Sequence, residues 1–138
     1  MKPIELNDQW RFLRQDVPGS ADYSQLSVHD HLWPTLSILK GEALKELVSD
    51  EGCVWLRQTF DMPANDECST WWLEFAEPLQ GKAWVNGKPL GGNNKQRFNV
   101  TAEVSMGSNL VVVCLDCPLY PDDDHIWRKV SCVPYPCE

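Results

Sequence analysis

Asn86-Gly87, set inside the stretch GKAWVNGKPLG at residues 81–91, constrains this chain more than any other feature. A two-residue type I′ turn needs positive φ at both central positions, and Asn followed by Gly accepts that at the lowest steric cost. With β-prone residues on either side, the pair specifies a hairpin. A second glycine pair, Gly91-Gly92, follows and marks another change of direction.

The rest of the chain reads in the same way. Trp10 and Phe12 alternate within residues 6–13, and Pro18-Gly19 ends that strand. Residues 22–39 are irregular, with Trp33-Pro34 forcing extended backbone before Leu36 and Ile38 alternate; this segment reads as a long loop crossing one end of the fold. Further strands are expected at 54–60, stopped by Met62-Pro63, then at 70–75, 82–85 and 97–100, and in the most apolar run, 109–116. One short helix is expected at 42–48, where Ala43, Leu44, Leu47 and Val48 share a face and Gly52 follows as a stop. The fold class is therefore all-β, an antiparallel β-sandwich with at most one short helix.

At 138 residues the chain reads as a single domain, residues 1–138, with a core over about 6–115 and a tail at 116–138. A 43% hydrophobic content that includes seven tryptophans is enough for a substantial core. The formal charge of −8, with lysines and arginines scattered, repels a phosphate backbone, so nucleic acid is excluded as a partner. No uncharged run approaches the roughly 18 residues needed to span a bilayer, and MKPIELNDQWRF holds no secretory apolar core. No membrane partner is expected, and the location expected is cytoplasmic. The six cysteines then read as free thiols, since disulfide frameworks belong mainly to small secreted domains.

Five blocks in order resemble the sugar-binding N-terminal domain of family 2 glycoside hydrolases: the Trp10/Phe12 strand, the Trp33-Pro34 loop, GCVWLRQTFDMP at 52–63, LEFAEPLQGKAWVNGKPLG at 73–91, and RFNVTAEVSMGSNLVVVCL at 97–115. The resemblance implies a jelly roll of the galactose-binding-like class with a carbohydrate-related role. It does not imply catalysis, because in that family the catalytic carboxylates sit on a separate barrel that needs roughly 200 residues or more. The chain is therefore expected not to be an enzyme. Its expected function is that of a non-catalytic carbohydrate-binding module, and the alternative is a protein-interaction or homo-oligomerising domain on the same scaffold. The partner is accordingly a carbohydrate, or else a protein or second copy of the chain.

Strand alternation nominates the site residues. With Val54, Leu56 and Phe60 inward, Trp55, Arg57 and Thr59 point outward; with Trp71, Leu73 and Phe75 inward, Trp72 and Glu74 point outward; with Ala83 and Val85 inward, Trp84 and Asn86 point outward. Aromatic rings that stack on sugar C–H faces, beside Arg, Glu and Asn that bond hydroxyls, make Trp84, Trp72, Arg57, Glu74, Trp55 and Asn86 the ligand candidates. The resemblance adds an alternative tip-loop site of His29, Asp30, His31 and Trp33 with Asn93, Asn94 and Lys95.

No catalytic residue, metal or cofactor is expected. Asp122-Asp123-Asp124-His125 lacks the ligand spacing of a calcium loop and reads as a solvated acidic turn. Cys114-x-x-Cys117 with Cys132 and Cys137 departs from paired zinc knuckles, and Cys114 should instead pack as a small hydrophobe. With Pro118, Pro121, Pro134 and Pro136, the tail is expected to lie over the sandwich rather than run through it as a central strand.

Overall fold

The computed structural model describes residues 3–6, 9–15, 21–36, 52–62, 69–75, 78–79, 81–91, 96–116 and 130–136. The helix expected at 42–48, the loop residues Asn93, Asn94 and Lys95, the acidic run 122–125, and Cys117 and Cys137 lie outside them.

Among the described residues ten antiparallel strands form two sheets. They are β1 (Ile4–Glu5), β2 (Trp10–Gln15), β3 (Thr35–Leu36), β4 (Cys53–Met62), β5 (Ser69–Phe75), β6 (Gly81–Val85), β7 (Lys88–Pro89), β8 (Arg97–Asn99), β9 (Gly107–Asp116) and β10 (Val130–Pro136). The four-stranded sheet has the order β1-β10-β5-β8 and the six-stranded sheet β3-β2-β4-β9-β6-β7. No helix occurs among the described residues, and none is long and apolar enough to cross a membrane.

The core lies between the sheets and is made by the residues that alternation turns inward. Val54, Leu56 and Phe60 of β4 meet Trp71, Leu73 and Phe75 of β5, with Ala83 and Val85 of β6, Val111, Val113 and Leu115 of β9, and the fully buried Trp10 of β2. Asn86 (φ 53) and Gly87 (φ 82) form the expected turn, pairing Val85 with Lys88. The strand expected at 6–13 begins only at Trp10, as β2; β1 precedes it in the other sheet, and Gln9 at φ 65 lies between them. A positive φ at a non-glycine residue cannot continue an extended ladder.

The C-terminal segment corrects the sequence reading. Residues 130–136 do not lie over the sandwich. They form β10, inserted between β1 and β5 and paired with β5 along its full length from Val130↔Phe75 to Pro136↔Ser69. The core therefore does not end near residue 115. The prolines are tolerated for a geometric reason. Leu6 N donates to Val130 O (2.8 Å), so Val130 and Cys132 turn their backbone groups toward β1. By the two-residue period Pro134 and Pro136 face the same side, beyond the last pair with β1, Ile4↔Cys132. Their missing N–H groups take nothing from the ladder with β5.

Cys53, Cys114 and Cys132 are buried free thiols. Burial of Cys132 raises its pKa from 9.0 to about 12. Below pH 9 the thiol is neutral in folded and unfolded chains alike, and its contribution to stability is complete. Above pH 9 it ionises first in the unfolded chain, so stability falls as pH rises toward 12, by up to about 1.4 kcal/mol per pH unit. Urea midpoints measured between pH 8.5 and 11.5 should therefore fall more steeply for the natural chain than for Cys132→Val. Parallel slopes would show that Cys132 does not carry this dependence.

Candidate functional site

The outward residues of β4 point away from the core, yet Trp55 and Arg57 are only 5% and 2% exposed. Residues 21–36 cross over them. Trp55 stacks on Trp84 of β6 (centroids 5.3 Å, 26° between planes), and Tyr23 from the crossing segment sets its edge against both Trp55 (5.7 Å) and Trp33 (5.4 Å). With Cys53, Leu110, Val112 and Cys114 these rings form a second apolar cluster on the outside of the six-stranded sheet. Trp55 Nε1 and Cys53 Sγ both donate to Gln15 Oε1, at 3.0 and 3.2 Å.

A guanidinium this deeply covered must be paired and hydrogen-bonded. Arg57 Nε donates to Asp30 Oδ2 (2.8 Å), and its Nη1 donates to the carbonyls of Tyr23 (2.6 Å) and Gln25 (3.0 Å), while the group lies 6.0 Å from the Trp33 ring. Arg11, the register partner of Arg57 on β2, binds the other end of the crossing segment. Its Nη1 lies 3.2, 3.0 and 3.4 Å from the carbonyl oxygens of Asp30, His31 and Trp33, and its Nε is 3.8 Å from Asp30 Oδ1. The segment is also tied locally. Ser24 donates through its hydroxyl (2.6 Å) and its backbone N (2.9 Å) to Asp22 Oδ1, and these bonds hold the Asp22 carboxyl below its usual pKa.

Where the crossing segment meets the sheet, Gln9, Arg11, Asp30, Thr35, Arg57, Gln58 and Thr59 line a cleft of about 330 Å3. Every one of these side chains is polar. The arrangement offers donors from the guanidiniums and amides, and acceptors from the Asp30 carboxylate and the hydroxyls.

The outer face of the four-stranded sheet carries a different constellation. The Arg97 guanidinium lies 4.6 Å from the Trp72 ring and 5.1 Å from the Tyr135 ring, while Arg97 Nε (2.8 Å) and Tyr135 OH (2.6 Å) both donate to Glu74 Oε2. The bond to Glu74 raises the pKa of both Tyr135 and Arg97.

The candidate residues are thus divided among three places. Trp55, Arg57 and Trp84 lie on the six-stranded face together with His31 and Trp33, so part of the first site and part of the alternative one are neighbours. Trp72 and Glu74 lie on the other sheet. Asn86 belongs to neither face's polar centre: its Nδ2 donates to Glu103 O (2.8 Å) and Asn109 Oδ1 (2.9 Å), and its Oδ1 accepts from Leu110 N (2.9 Å), fastening the hairpin to the start of β9. Arg11, Arg97 and Tyr135 escaped the sequence reading. Arg11 stands between the inward Trp10 and Phe12, and alternation alone could have turned it outward. Among the described residues no group of three or more His, Cys, Asp or Glu side chains could hold a metal ion.

No protein-family model matches the chain, and no curated protein matches it. Solved structures do. A glycosyl hydrolase family 2 member from Bacteroides cellulosilyticus superposes with a TM-score of 0.72 at 16% identity over 99% of this chain and 21% of its own. A calcium-binding mutant of beta-glucuronidase 2 from Bacteroides uniformis gives 0.72 at 19% identity over 98% of this chain and 18% of its own. A beta-glucuronidase from an uncultured Clostridium species gives 0.71 at 17% identity over 98% and 29%. The chain therefore has the fold of one segment of family 2 glycoside hydrolase structures, as the five sequence blocks imply, and spans less than a third of the length of each.

Proposed function

We propose that the chain is a non-catalytic carbohydrate-binding module whose ligand cleft lies between the crossing segment 21–36 and the β2–β4 edge of the six-stranded sheet. The observation that carries this reading is a cleft of roughly 330 Å3 whose described lining residues all carry polar side chains. That volume falls within the range of small-molecule sites, and a lining without apolar side chains among the described residues suits a ligand rich in hydroxyls. The fold shared with a segment of family 2 glycoside hydrolases supports the same class of ligand, and the resemblance places the catalytic step on a separate barrel. In this reading Arg57 holds the crossing segment in place, and Arg11, Asp30 and Thr59 meet the sugar. The buried free thiol of Cys132 suits a reducing, cytoplasmic setting.

Trp33 lies close enough to the cleft to report on it. Titration with a panel of mono- and oligosaccharides should give a saturable change in tryptophan emission, weakened about tenfold in Thr59→Val, where an exposed rim hydroxyl is lost, and unchanged in Trp72→Ala on the opposite face. Binding lost only in Trp72→Ala would move the site to the four-stranded sheet. No response to any saccharide would reject the module. A second reading, a docking face for a protein or a second copy, draws on the exposed Arg97 set between Trp72 and Tyr135, since Trp, Tyr and Arg are the residues most enriched at interface centres. Light scattering across a concentration series checks the second copy.

A further inference from the structure

Arg11 and Arg57 are direct register partners on neighbouring antiparallel strands and project from the same face of the sheet. Like charges so placed, with Cβ atoms about 5 Å apart, repel one another. One carboxylate, Asp30, stands between them, 2.8 Å from Arg57 Nε and 3.8 Å from Arg11 Nε, and it is the sole carboxylate among the described residues lining the cleft. Among the described lining residues, two guanidiniums stand against one carboxylate, in a protein whose formal charge is −8.

The hydrogen-bond inventory points the same way. Arg57 spends Nε and Nη1 on Asp30, Tyr23 and Gln25, and Arg11 spends Nη1 on the carbonyls of Asp30, His31 and Trp33. Neither Nη2 group has a hydrogen-bond partner among the described residues, although both arginines line the cleft and the Arg57 side chain is 2% exposed. A guanidinium edge held in place by its other nitrogens matches an oxyanion better than a neutral hydroxyl; Arg57 is removed from water, and Arg11, 37% exposed, stands at the mouth.

We propose that the cleft selects acidic saccharides, with a ring carboxylate or a sulfate ester accepting from the Nη2 groups of Arg11 and Arg57 while the sugar hydroxyls meet Asp30 and Thr59. The inference rests on the sugar-binding reading and adds the charge of the ligand to it. Isothermal titration of the full chain with matched pairs, glucose against glucuronate and galactose against galacturonate, together with galactose 6-sulfate, acetate and inorganic sulfate, tests both. The acidic member should bind at least tenfold more tightly than its neutral twin at 20 mM salt, and the advantage should shrink at 300 mM. Arg11→Gln should reduce the preference for the acidic twin to threefold or less, with circular dichroism confirming the fold; Arg11→Lys should restore part of it. Tighter binding of uronates than of the sulfate ester assigns the carboxylate, and the reverse order assigns the sulfate. Equal affinity for neutral and acidic twins overturns the charge selectivity and leaves the sugar module standing. Acetate or sulfate binding as tightly as the acidic sugars keeps the anion site and removes the sugar. No binding by any probe overturns both.

Discussion

Replacing Arg57 with methionine will destabilise the protein by about 3 kcal/mol and shift its tryptophan emission to the red. Methionine keeps most of the apolar stem but strips the donors from Asp30 and from the carbonyls of Tyr23 and Gln25. Breaking a buried ion pair by removing one partner costs about 3–5 kcal/mol. Asp30 is 25% exposed and Arg11 lies within 3.8 Å of it, so the stranded carboxylate finds partial compensation and the lower part of that range applies. The optical effect follows from what Arg57 holds down: once the crossing segment loosens, Tyr23 and Trp33 no longer cover Trp55. Urea unfolding followed by fluorescence measures both. The double variant Arg57→Met/Asp30→Asn should recover about 1 kcal/mol, because the amide no longer leaves a buried charge. A loss below about 1 kcal/mol with unchanged emission would mean that the segment is held by other contacts.

Gly81→Ala should be at least as damaging. A Cβ at position 81 would sit 1.9 Å from the carbonyl oxygen of Cys114 and 3.1 Å from the Cα of Leu115, both backbone atoms of the strand with which β6 pairs, and φ there is +155°. Neither neighbour can rotate away as a side-chain tip would, so the β6–β9 ladder must part at its first pair, Gly81↔Leu115. The expected cost is about 3 kcal/mol or more, equivalent to roughly 10 °C in Tm for a domain of this size. Gly91→Ala is the control. Nothing lies within 4 Å of a Cβ there, and the change should stay within about 0.5 kcal/mol. Equal melting temperatures for the two variants would show that β6 can shift without loss.

What the sequence disclosed was governed by distance along the chain. Alternation is local, so the inward sets Val54/Leu56/Phe60, Trp71/Leu73/Phe75 and Ala83/Val85 were legible and all lie in the core. The Asn86-Gly87 turn was legible for the same reason, although the polar work of the Asn86 side chain was not, because its partners Glu103 and Asn109 arrive from 17 and 23 residues away. Alternation gives a direction and says nothing of cover. Trp55 and Arg57 do point out of the sandwich, and the crossing segment then buries them, which no residue of β4 announces. The pairing of Arg11 with Arg57 joins strands separated by the whole crossing segment, so the charge of the cleft became visible only in three dimensions. The last strand was hidden by its prolines. Their rule concerns which side of a ladder loses a donor, and without the register of β1 that side cannot be identified.

Because β10 stands between β1 and β5, the sheet that contains the first strand cannot close until residues 130–136 have been synthesised. During translation the described strands of the six-stranded sheet are all made by residue 116, while β5 waits with one backbone edge unpaired. Pairings of such high sequence separation form slowly, and unpaired strand edges are sites of misassociation. A nascent chain stalled before residue 130 therefore leaves both β1 and β5 with an open edge, and the seven-residue β10 is the latch that joins them.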